Sequence, residues 1–320
     1  MNAPRLSQNQ VDWCRNRFDA IVSEISGSLI GKRPVIEYVV ATVIAGGHVL
    51  LEDVPGTGKT ALARDLATVI GGEHTRVQFT PDLLPSDITG TLVFDQRNGS
   101  FRFHKGPVFT NILLADEINR ASPKTQSALL QVMEEHEVTV DGVNHEIGKI
   151  FTVIATQNPI EQAGTYRLPE AQLDRFMIKT SIGRVEQNVL IQIIGGVAVS
   201  EVSPDLIDLR SLESMQRVVS EVTVSEPVAG YISALVEASH NSEFVRLGVS
   251  VRGALALTQL ARTWALVHGR DFVVPQDVSD MLPLVFGHRI LLQAEAEFDG
   301  LTVDRVIAEI LAAVPVPQGA

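Results

Sequence analysis

In "LLEDVPGTGKTALA", residues 50–63, a lysine and a hydroxyl follow directly on a pair of spaced glycines. Those residue types at that spacing make a phosphate-binding loop. Backbone amides around Gly56 and Gly58 cradle the phosphates, Lys59 reaches the terminal ones and Thr60 offers a hydroxyl to Mg²⁺. The general pattern has a glycine where this chain has Asp53. That glycine serves the turn out of the strand, a turn aspartate also makes with its side chain directed away from the phosphates. A second element, "ILLADE", is an apolar run ending in Asp116 and Glu117. One carboxylate there holds Mg²⁺ and the next polarises an attacking water. In "IATQNP", Asn158 closes another apolar run, where it can orient that water. Each element alone has a plainer reading: a strand-turn-helix junction, an acidic strand end in solvent, an Asn-Pro turn. Their order along the chain favours the chemical reading.

The elements that position these residues are legible in the hydrophobic pattern. "VLLE" is a short buried strand running into the loop, and "KTALARDLATVI" continues as a helix closed by Gly71-Gly72. Strand, glycine loop, helix is the context a phosphate loop requires. Further strands are expected at 75–80, 111–117 and 150–159, the last two buried and with a helix from Ser122 and Pro123 between them. Alternating runs around Asn98-Gly99 and Asp141-Gly142 predict two hairpins, over 91–104 and 138–147. Strands and helices alternate, which predicts a parallel α/β sheet. Two helices precede it, the second running from Pro34 to Gly46-Gly47, and beyond about residue 187 the pattern is helical.

Composition narrows the classes. At 320 residues the chain has room for two domains, and an apolar fraction of 45% supports a sizeable core. A net charge of −12 argues against an electrostatic grip on nucleic acid. Cys14 is the only cysteine, which excludes an intrachain disulfide. The first residues carry no signal-peptide pattern, and the apolar stretch 35–51 is broken by Glu37, Gly46, Gly47 and His48. A cytoplasmic protein without a membrane span is expected. "EEHE" (134–137) has metal-ligand side chains, but at a polar helix end it reads as a solvated face.

These stretches resemble the AAA+ ATPases and, within them, the MoxR-like family. The resemblance rests on "LLEDVPGTGKTALA", "VQFTPDLLPSDITG", "FRFHKGPVFTNILLADEINRASPKTQSALLQVMEE" and "VIATQNPIEQAGTYRLPEAQLDRFM". It extends more loosely through "GVSVRGALAL" and "VVPQDVSDMLPLVFGHRI", covering about residues 28–292. Members of that family also carry a non-glycine residue at the position of Asp53.

The resemblance implies an α/β fold: a P-loop AAA+ core with a parallel five-stranded sheet, then a smaller all-helical lid. It divides the chain into an N-terminal helical segment (1–27), the ATPase core with a helix-2 insert and pre-sensor hairpin (28–187), the lid (188–312) and a flexible tail (313–320). It implies ATP on Gly56, Thr57, Gly58, Lys59, Thr60 and Ala61, with Mg²⁺ on Thr60 and Asp116. Glu117 would activate water and Asn158 sense the γ-phosphate. Arg175, in "LPEAQLDRF", matches the arginine finger inserted into a neighbouring subunit's site, worth roughly 10³–10⁵ in rate in related NTPases. The plain alternative is an Arg175 pair with Asp174 or Glu170. Arg252, in "SVRGAL", matches the second sensor arginine of the lid, although the family more often has proline at the place of Val251. Arg120 is a further finger candidate, and Arg167, where proline is common, has no assigned role. The implied assembly is a ring, a hexamer. The implied role is chaperone-like maturation of a client complex, with a von Willebrand factor A domain protein as partner. A metal-chelatase motor subunit and a nucleic-acid-stimulated motor are the alternatives.

Overall fold

The computed structural model describes residues 6–54, 56–158, 165–196 and 200–318. A parallel five-stranded sheet is built from β1 (Val49–Glu52), β2 (His74–Gln78), β5 (Ile112–Asp116), β8 (Thr152–Gln157) and β9 (Ile178–Thr180). Their order is β2-β5-β8-β1-β9. The intervening strands form the two expected hairpins: β3 (Gly90–Asp95) with β4 (Ser100–Lys105), and β6 (Glu137–Val140) with β7 (Val143–Glu146). The central strands are apolar throughout because both sheet faces are covered. Val49, Leu51, Leu114 and Ile154 face one apolar core. Leu50, Leu113, Val153 and Ala155 face the other, which contains Phe79 and Leu129.

The first core is closed by α1 (Gln8–Ser28), α2 (Arg33–Ile44) and α3 (Lys59–Val69). A capping box on Ser7 and Gln10 starts α1, and Pro34 sits in the first turn of α2, where its missing N–H costs nothing. The second face carries α4 (Pro85–Thr89) and α5 (Pro123–Glu135), the latter capped by Ser122. A short α6 (Glu170–Leu173) precedes β9.

The remaining helices are α7 (Gln187–Ile194), α8 (Leu209–Glu221), α9 (Glu226–Asn241), α10 (Val251–Val267), α11 (Pro275–Phe286), α12 (Ala294–Phe298) and α13 (Val303–Ala313). One antiparallel ribbon, β10 (Val245–Leu247) with β11 (Leu291–Leu292), ties the lid's two halves. The apolar core of α1 and α2 continues into α8–α11 and α13, and α10 packs directly on α1 and α2. No described helix is long and apolar enough to cross a membrane.

Parallel register sends every central strand out at the same edge. Gln78 lies opposite Asp116, Leu51 opposite Thr156 and Glu52 opposite Gln157. Ligand crevices of open α/β sheets form at that edge.

Candidate active site

The loop leaving β1 turns through Gly56 (φ +84°) and Gly58 (φ +100°), conformations that only glycine adopts without strain. Gly58 is the N-cap of α3 and has no side chain to cap it, so the first-turn amides are left for a ligand. A Cβ at Gly56 would meet nothing within 4 Å, whereas one at Gly58 would strike Leu29. The helix supplies its positive end to an anion placed there. Lys59 reaches back to the Asp53 carbonyl (3.2 Å), within the cavity-facing loop. Asp53 itself is buried, and its carboxylate accepts from the amides of Ile182 (2.6 Å) and Gly183 (2.9 Å). It faces away from the phosphate position and fastens the loop to the chain leaving β9. The first glycine of the general pattern is therefore replaced by a structural anchor.

Across a cavity of about 280 Å³ from Gly56, Gly58, Lys59, Thr60 and Ala61 stand Asp116 and Glu117. Thr57 does not line it; its hydroxyl contacts the Val54 carbonyl. Asp116 is held by the Thr156 hydroxyl (2.6 Å) from β8 and by the Arg76 guanidinium (2.6 Å) from β2. Thr156 also accepts from the Glu117 amide (2.8 Å). Glu117 has φ +56°, an uncommon conformation for a residue with a side chain, and this kink points its carboxylate back to the cavity. Gln78 donates to it (2.8 Å), and Arg120 pairs with it at 3.1 Å. Arg120, a finger candidate by sequence, thus engages its own chain's carboxylate.

This cavity fits a magnesium nucleotide. Thr60 and Asp116 offer hard oxygens of the kind Mg²⁺ selects, and a cationic group, Arg76, already occupies the outer oxygen of Asp116. Asn158 lies at the exit of β8, buried, but it lines the adjoining cavity with Glu52, Asn119, Arg167 and Lys179. Sequence placed it at the strand end, where it is; the structure does not bring it into the loop's cavity.

Arg175 and Arg252 stand elsewhere. They line a cavity of about 310 Å³ with Gly47, His48 and Met177, at the edge where the strands begin. The length of β1 alone, about 13 Å for four residues, separates that edge from the phosphate loop. Arg175 does not pair with Asp174 or Glu170. It binds Glu134 (3.0 Å) and the Leu130 carbonyl at the C-terminal end of α5, a favourable place for a cation. Arg252 binds the other oxygen of the same Glu134. Asp174 is taken by Arg289 (2.7 Å), which is buried and also donates to the Asp174 and Phe176 carbonyls. Burial lowers the Arg289 pKa, and the Asp174 carboxylate opposes that shift. Beneath them His48 accepts from the Val153 amide at Nδ1 and faces the Met133 carbonyl with Nε2; burial lowers its pKa to about 4.

Residues 48–178 match the ATPase family associated with various cellular activities (AAA), and residues 237–310 match the AAA lid domain. The chain is 38% identical to Chaperone MoxR1 of Mycobacterium tuberculosis, over 93% of this chain and 81% of that one. It is 30% identical to Protein MoxR of Paracoccus denitrificans, over 98% and 99%. The chain belongs to the MoxR-like AAA+ ATPases. A crystal structure of a Cytophaga hutchinsonii protein, 35% identical, superposes with a TM-score of 0.89 over 97% of this chain and 98% of that one.

Sequence reasoning missed several residues of this MoxR-like site. Gln78, Arg76 and Thr156 sit in strands that read only as apolar or mixed, and their roles follow from register. Glu134 was read as part of a solvated face. Its signal was electrostatic: a carboxylate in the last turn of a helix opposes the dipole and favours a cation beside it. Arg289 carried no motif signal. Its place is marked by Gly253, where a Cβ would come within 2.7 Å of the Arg289 side chain.

Proposed function

We propose that this MoxR-like chain hydrolyses ATP with Mg²⁺ in a ring, a hexamer by family resemblance, each site being completed by its neighbour's Arg175 and Arg252. The observation that carries the reading is the placement of both arginines at the opposite sheet edge from their own phosphate loop. A head-to-tail assembly brings one subunit's arginine edge to the next subunit's loop, and an interface of this kind forms a ring when the rotation between subunits closes.

In that site the α3 amides and Lys59 bind the phosphates, and Thr60 and Asp116 hold the metal. Mg²⁺ bound there would supply neutralisation of the phosphate charge. Glu117, aimed by the Gln78 amide, accepts the proton of the attacking water. Asn158 acts from the neighbouring strand exit. A second cavity, lined by Ser28, Arg64, Asp65 and Thr68, shares Ala61 with the phosphate cavity and offers room for the nucleoside. Arg175 and Arg252 add positive charge where negative charge develops in the transition state.

The output is chaperone-like, in line with the name of the M. tuberculosis relative. We assign client contact to the hairpins. Phe94 and Phe101 form an exposed pair (5.2 Å) on the first, and Phe103 stacks on His145 of the second at 4.1 Å, linking the two. The partner class, a von Willebrand factor A domain protein, rests on the family resemblance. Glu117→Gln tests the core of the reading. It should bind ATP within a few-fold of wild type and hydrolyse it on the order of 10²-fold or more slowly. Hydrolysis close to wild type would remove Glu117 as the activating base.

A further inference from the structure

Glu134 holds two arginines that belong to different parts of the chain. Its Oε2 binds Arg175, just ahead of β9 in the core, and its Oε1 binds Arg252, in the first turn of the lid helix α10. Two of the three charges oppose their own helix dipole: the Glu134 carboxylate lies in the last turn of α5, and the Arg252 guanidinium lies at the N-terminal end of α10. Pairing offsets both penalties. The contact is nevertheless shallow, with side-chain exposures of 27% for Arg175, 44% for Arg252 and 43% for Glu134. Exposed pairs of this kind are screened and exchange readily. Arg289 is different: it is buried and fixed by Asp174 and by backbone carbonyls, so it serves as scaffold.

We infer that Glu134 is an internal stand-in for phosphate, a carboxylate that occupies Arg175 and Arg252 until a neighbouring subunit's terminal phosphate displaces it. This rests on the proposed action of the two arginines in trans. The chemistry matches on both sides. A carboxylate presents two adjacent oxygens to two guanidinium groups, as one edge of a phosphate does, and arginine binds phosphate with the same fork. The phosphate carries more charge, so the exchange runs downhill once a nucleotide-loaded neighbour docks. Glu134 is thereby a positioning residue that sets how much protein and ATP are needed to complete a site.

The test is steady-state hydrolysis as a function of protein and of ATP concentration, for wild type, Glu134→Gln, Glu134→Ala, Glu134→Asp and Arg175→Ala. Removing the competing charge in Glu134→Gln and Glu134→Ala should lower the half-saturating protein and ATP concentrations by about 3- to 10-fold, the worth of one or two exposed ion pairs. The kcat should stay within about two-fold, since nothing in the occupied site changes. Glu134→Asp, which keeps the charge, should remain close to wild type. A merely structural role would move both constants the other way or not at all. Unchanged or raised half-saturation in Glu134→Gln and Glu134→Ala, with Arg175→Ala inactive, would overturn the stand-in role alone. Full hydrolysis by Arg175→Ala would overturn the trans reading, and the stand-in with it.

Discussion

Where its parallel strands end, the central sheet gathers the phosphate loop, Asp116, Glu117 and Gln78 around one cavity; where the strands begin, Arg175, Arg252 and Arg289 gather around Glu134 and Asp174. The first edge is rigid by construction. Its groups leave adjacent strands, and ladder register fixes their spacing. The second is assembled across domains, from α5, the turn before β9, α10 and the segment after α11, and only Arg289 is deeply buried. One edge offers amides, a lysine and metal-binding oxygens, and the cations beside it, Arg76 and Arg120, are paired with Asp116 and Glu117. The other carries three guanidinium groups against two carboxylates. On the proposed reading, a single subunit holds two complementary halves of a site at opposite edges of the sheet, and a neighbouring subunit brings them together.

The largest expected effect lies on the first edge. Lys59→Ala should lower ATP affinity by on the order of 100-fold, because a charge-assisted contact to phosphate has no replacement in the loop. Titration calorimetry would measure it, and an affinity within a few-fold of wild type would remove the loop from phosphate binding. Asp53→Gly separates anchor from site. It should keep ATP binding but lose about 2–4 kcal/mol of stability, because the Ile182 and Gly183 amides lose a buried charged acceptor. Equal stability with lost binding would reverse the assignment.

At the second edge the expected effect is on stability. His48 has a folded pKa of about 4 against an ordinary 6.5, so between these values only the unfolded chain takes up the proton. Stability from this group is complete above about pH 6.5 and falls by about 3 kcal/mol as pH drops to 4. His288, also buried and shifted downward, adds in the same direction. Denaturant unfolding across that range should show the loss, and His48→Gln should flatten it. An unchanged slope in His48→Gln would show that His48 is not held neutral.

The difference between the edges also explains what could be read from sequence. The phosphate loop, the acidic strand end, four of the five sheet strands and both hairpin turns are local patterns, and local geometry decides them; β9, three residues long, carries no such pattern. The Asp53 mismatch needed the fold: its partners, Ile182 and Gly183, lie on the far side of β9. Arg175 and Arg252 were found through family resemblance, but their meeting on Glu134 was not legible. Residues 134, 175 and 252 belong to three elements with no shared period or spacing. Asn158 shows the limit from the other side, since its strand exit was legible and the cavity it faces was not.

The central claim is that the two edges act on each other only between subunits. Lys59→Ala and Arg175→Ala each disable every site in a uniform ring, one at the loop and one at the finger. Mixed together, an intact loop from an Arg175→Ala subunit meets an intact arginine from a Lys59→Ala subunit at about one interface in four. Hydrolysis should therefore reappear on mixing, at a substantial fraction of wild type, although each variant alone is inactive. Mixed assemblies that remain as inactive as their parents would contradict the account.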